Sequence, residues 1–136
     1  MMTMSFAEQD LETFDFRAVP PEAALVMSAL DAAGQSMVER RVIPRKSYRT
    51  ITLLRLFRDQ PDSAGWRLYT RDINRRGMGF VTPHRLPLGY GGMVMLPNQH
   101  GKVAAVHCTL SRCREASPGW FEGCLHFNRE QPQFDT

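Results

Sequence analysis

From Ser47 onward the sequence breaks into short segments rich in Thr, Ile, Leu, Val, Tyr and Phe, separated by Pro, Gly and Asp. This rhythm constrains the fold more than any other feature, because β-branched and aromatic residues suit a pleated, half-buried surface while Gly, Pro and Asp interrupt it. Residues 48–57, 66–70, 78–82, 93–96, 102–112 and 120–127 each read as a strand. Turn chemistry lies between them: DQPDSAG at 59–65, a tight polar stretch at 72–77, GYGG at 89–92 read as a hairpin turn, and NQHG at 98–101. Six strands with short connections predict a mainly β fold, a six-stranded antiparallel β-barrel, since closure removes the exposed edges of an open sheet.

Upstream, Pro20 and Pro21 open a helix signal, Glu22 suits the positive end of the helix dipole, and AALVMSALDAA is rich in helix formers before Gly34 provides a stop. An N-terminal helix is expected over about 21–33. Residues 1–19 scatter Phe6, Phe14 and Phe16 among acids without a period, which reads as a flexible or partner-dependent leader. The expected organisation is an acidic leader with its helix over 1–36, a barrel over 37–129 and a short tail over 130–136.

At 136 residues the chain is long enough for one core. With 43% apolar and 23% charged residues it is neither collagen-like, coiled coil nor wholly disordered. The longest apolar stretch, residues 23–30, is broken by Ser28 and falls far short of the roughly 20 residues a membrane span needs. The first residues carry no basic n-region or apolar h-region, so no membrane insertion and a cytoplasmic location are expected. Cys108, Cys113 and Cys124 are odd in number and form no C-x-x-C pair, which argues against a disulfide framework. With His107 and His126 they raise the question of zinc, but their spacing matches no standard pattern and buried core cysteines are the simpler reading.

The net charge of +3 hides an asymmetry. Residues 1–39 hold seven acids and one base, whereas residues 40–136 hold sixteen bases and seven acids. Fifteen of the seventeen bases are arginine, whose planar fork grips phosphate bidentately and stacks on flat rings. Arg40, Arg41, Arg45, Lys46 and Arg49 form one knot and Arg71, Arg75 and Arg76 another. Each repels itself unless something anionic approaches, either a ligand or the acidic leader folding back.

Signatures of common enzymes are missing: no G-x-S-x-G, no H-E-x-x-H and no phosphate loop. His84, His100, His107 and His126 have no evident nucleophile or acid beside them, so the chain does not read as an enzyme. Two segments remain. In RRVIPR (40–45) Pro44 keeps the arginines on an extended or turning chain just before a strand. In DINRRGMGF (72–80) an acid, an amide and a glycine lie between two strands. A carboxylate accepts from the N1 and N2 donors of guanine, an amide donates and accepts, and glycine permits close approach.

These residues resemble the two signatures of the PilZ domain, R-x-x-x-R and, one strand pair later, [D/N]-x-S-x-x-G. Arg41 and Arg45 fit the first, preceded by Arg40, and Asp72, Asn74 and Gly77 fall on the second. The strand 92–96 after the glycine turn, the long strand 102–112 and WFEGCLHF (120–127) with Gly123 resemble the family's later strands, over roughly 37–129. The resemblance implies a six-stranded barrel that binds cyclic di-GMP, with Arg40, Arg41 and Arg45 around the phosphates and Asp72, Asn74 and Gly77 at the base. Two departures stand out: Asn74 replaces the family's serine, and Arg76 replaces a frequent glycine.

Three functions follow as expectations. The first is a cyclic di-GMP receptor or adaptor that needs no cofactor and passes the signal to a protein effector. The second is a ligand-independent interaction module. The third is an oligonucleotide-binding barrel using Tyr48, Trp66, Tyr69 and Phe80 as stacking platforms, disfavoured because strand aromatics usually serve the core, so nucleic-acid binding is not expected.

Overall fold

The computed structural model describes residues 19–34, 43–60, 65–97 and 102–134. Helix α1 (Pro21–Gly34) precedes the strands β1 (Lys46–Ser47), β2 (Ile51–Leu56), β3 (Trp66–Ile73), β4 (Gly77–Thr82), β5 (Gly91–Pro97), β6 (Val103–Ser117) and β7 (Trp120–Phe127), and a 3-10 turn (Pro132–Phe134) follows them. The leader residues 1–18, Arg40, Arg41 and the turn 98–101 lie outside the described residues.

All strand pairs are antiparallel, and the hydrogen-bonded order β3-β2-β5-β6-β7-β4 returns to β3. This is the expected closed six-strand barrel, with β1 as an extra strand on the far end of β3. The strand expected at 48–57 is shortened to β2, and residues 48–50 separate it from β1, which lies upstream of the expected start. β3 runs to Ile73 and β6 to Ser117, past the expected ends at 70 and 112, because their charged residues face outward. GYGG is not a hairpin turn. β4 and β5 are not neighbours, so residues 83–90 cross an end of the barrel to reach the place between β2 and β6. Gly91 and Gly92 already belong to β5, and Gly89 alone takes the left-handed bend, at φ 86°.

The helix forms where its end signals lie. The Pro20 carbonyl accepts from the Ala24 N–H at 3.1 Å, Glu22 sits in the first turn, and Gly34 ends it. Its buried face, Ala23, Val26 and Met27, packs on the outside of the barrel against Ile51, Tyr69 and Val81. Fully burying a side chain of this size is worth about 1.5–3 kcal/mol, enough to hold a helix too short to stand alone.

Inside, Leu54, Leu56, Leu68, Phe80, Leu96 and Leu125 head the core. Leu86, from the 83–90 crossover, closes one end, and Phe134 closes the other. Phe134 meets Tyr48 edge-on at 5.7 Å, and the Tyr48 hydroxyl donates to the Pro97 carbonyl at 2.6 Å. Burial raises the Tyr48 pKa well above that of a free phenol. Among the described residues no helix is long and apolar enough to cross a membrane.

Candidate functional site

A bulge organises the β3–β4 hairpin. The register against β4 shifts between Thr70 and Asp72, so that Asp72, rather than Arg71, stands opposite Gly79. Bulges re-aim side chains in this way. The Asp72 carboxylate then accepts the Gly79 N–H at 3.0 Å.

Asn74 makes the turn. Its Oδ1 accepts from the backbone N–H of Arg76 at 2.7 Å and of Gly77 at 3.1 Å, and its own N–H donates to the Gly77 carbonyl at 3.0 Å. The local side-chain-to-backbone bond open to Asp72 as a turn starter is made instead by Asn74, while Asp72 stays in the strand. The Asn74 Nδ2 donates to the Ile43 carbonyl at 2.7 Å, tying the arginine-bearing segment to the hairpin. A serine has one hydroxyl for all of these roles.

Arg45 therefore arrives directly over the hairpin. Its Nη1 lies 3.5 Å from Asp72 Oδ1 and 3.4 Å from Cys124 Sγ. Gly77 and Gly79 make room: a Cβ on Gly77 would come within 3.3 Å of Arg45 Nη2, and one on Gly79 within 2.7 Å of Asp72 Oδ1. The ion pair is long compared with the roughly 2.8 Å of a tight charge-assisted bond, and the buried Arg45 Nε–H has no acceptor among the described residues. Its guanidinium is placed but not locked. Of the six expected site residues, Arg45, Asp72, Asn74 and Gly77 come together; Arg40 and Arg41 lie outside the described residues.

Part of each basic knot is answered by a carboxylate of the chain itself. Asp31 on α1 pairs with Arg49 and Arg71, each at 3.0 Å, and Glu130 pairs with Arg75 at 3.7 Å and Arg76 at 3.3 Å. Arg76, the bulky departure from the motif, is thereby drawn toward the C-terminal segment. Partial burial pushes the Asp31 pKa up, but hydrogen bonds and charge from Arg71 and Arg49 outweigh it and hold the carboxyl below its ordinary value.

Register also brings in residues that the motifs do not contain. Asp72, Gly79, Cys124 and Arg112 stand side by side across β3, β4, β7 and β6. Glu122, buried on the same outer face, accepts from Arg112 Nη2 at 2.9 Å and from Arg114 Nε. Spacing in the sequence gives no sign of this row, which depends on a register shift between Leu110 and Arg112.

The other sequence candidates are packed rather than displayed. Phe80 is in the core, Tyr69 lies under α1, and Tyr48 and Trp66 pack against the core from its margin. Cys108, Cys113 and Cys124 are all buried and free. Among the described residues no three His, Cys, Asp or Glu side chains gather to hold a metal ion. A scan against models of known protein families finds no match for the chain, and a search of curated proteins finds no relative.

Proposed function

We propose that the chain is a cyclic di-GMP receptor or adaptor of the PilZ kind, acting in the cytoplasm by binding rather than by catalysis. One observation carries the reading: the two candidate segments, far apart in sequence, meet at a single place, with Arg45 over Asp72 and Gly79 and with Asn74 bonded to Ile43. A guanidinium, a carboxylate and a glycine-lined floor are the groups that a guanine nucleotide with phosphates requires. Arg40 and Arg41 would supply further forks to the phosphates. A ligand that draws Arg45 off Asp72 changes the surface offered to an effector protein, provided it binds one arrangement better than the other.

Titration calorimetry with cyclic di-GMP tests this, with GTP as control and Arg41→Ala as the variant. Saturable heat that the variant loses, weakening as salt rises, is the expected result. No heat at high ligand for the wild-type protein would overturn it.

A second reading, a ligand-independent interaction module, is favoured by a different observation. Phe57, Leu88 and Tyr90 are exposed together beside the 83–90 crossover, with Arg58 over the Tyr90 ring and His107 against Phe57. Apolar exposure with a polar rim is the usual mark of a protein contact. Partner binding that persists in cells lacking the messenger would select this reading.

A further inference from the structure

We infer that Arg112 is a ligand-contacting residue of the same site, reading the acceptor edge of a guanine from the side opposite Asp72; the inference rests on the cyclic di-GMP reading above. Asp72, Gly79, Cys124 and Arg112 occupy successive strands in one cross-strand row. At about 4.8 Å between strands the row spans roughly 14 Å, with Asp72 at one end and Arg112 at the other. Between them the floor is made of Gly79 and the small Cys124 side chain, which Arg45 touches from above.

The chemistry of the two ends is complementary to guanine. The Asp72 carboxylate can only accept, as the N1 and N2 donors of the base require. Arg112 can only donate, as the O6 and N7 acceptors on the other edge require. Glu122 holds the Arg112 Nη2 at 2.9 Å, while the buried Arg112 Nε–H has no acceptor among the described residues. Arg45, on the other side of Cys124, has the same unanswered Nε–H. Two under-satisfied guanidinium groups thus flank one floor, and both gain an acceptor when a base and its phosphates arrive.

The test is calorimetry with cyclic di-GMP and cyclic di-AMP on the wild-type chain and on Arg112→Ala, Arg112→Lys and Arg45→Ala, each checked for folding by thermal unfolding. Arg112→Lys keeps a cation beside Glu122 and carries the test if the alanine variant does not fold. Both substitutions should weaken cyclic di-GMP binding by about tenfold or more, because neither restores a donor fork. The preference for cyclic di-GMP over cyclic di-AMP, whose adenine has an amino group in place of O6, should narrow with it. Affinity and preference unchanged in folded Arg112 variants, with binding lost in Arg45→Ala, would overturn the role of Arg112 and leave the receptor reading standing. A wild-type chain that binds neither nucleotide would overturn the receptor reading itself.

Discussion

The side-chain amide of Asn74 donates to the Ile43 carbonyl at 2.7 Å, so the residue that closes the β3–β4 turn also fastens the segment that delivers Arg45. Turn stability and arginine placement therefore depend on one side chain. Asn74→Ala removes the acceptor for two backbone N–H groups and the donor to Ile43 in a buried place, and should cost about 2–3 kcal/mol. Asn74→Ser keeps an acceptor for the turn and should fall between the two. Urea unfolding of the three proteins checks the order.

Arg45→Ala should leave the fold almost intact while abolishing cyclic di-GMP binding. The Asp72 carboxylate retains the Gly79 N–H, and the lost ion pair is long, so stability should change by no more than about 1 kcal/mol. Calorimetry and thermal unfolding, measured on the same sample, separate the two effects.

Gly77 lies where β4 meets β7, and a Cβ there would run into the backbone carbonyl of Leu125, which cannot swing aside as a side chain can. Gly77→Ala should destabilise the barrel by about 1–3 kcal/mol and displace Arg45 as well. A thermal midpoint equal to that of the wild type would show that the β4–β7 pairing relaxes more easily than its geometry implies.

Acid should loosen α1 through Asp31. Its pKa lies below the ordinary value of 3.8, so the folded state binds this proton less readily than the unfolded chain. The stability it contributes is complete above the unfolded value and disappears as pH falls through the folded one. Wild type and Asp31→Asn should differ in unfolding free energy near neutrality and converge once the pH has fallen below the folded value.

The thiols should be silent in the native protein. All three are buried, and burial pushes the Cys108 pKa up to about 12, which leaves almost no thiolate at neutral pH. A thiol reagent should label them at the rate of unfolding. Rapid labelling of any of the three would overturn this.

The barrel was legible because each strand advertises itself locally: β-branched and aromatic residues between Gly, Pro and Asp. The helix was legible from Pro20, Pro21 and Gly34. The ends of β3 and β6 were not, since Arg71, Asp72 and Arg114 look like turn or loop residues until their partners on the outer face, Asp31, Arg45 and Glu122, are in place. GYGG misled for a related reason: glycine marks a bend but not whether the strands on either side of it pair. At the site, Arg45, Asp72, Asn74 and Gly77 carried a recognisable spacing, whereas Arg112 and Glu122 meet it only through cross-strand register. That register is set by bulges, and no residue type announces them.

The stretch 35–42, which contains Arg40 and Arg41, starts and finishes at moored points. On one side Asp31 fixes the last part of α1 to Arg49 and Arg71, and on the other Asn74 holds Ile43. Asp31 and Asn74 thus fasten the two described segments that flank Arg40 and Arg41 to β3 and to the turn that follows it, so a helix with no part in the chemistry shares its anchorage with the candidate site.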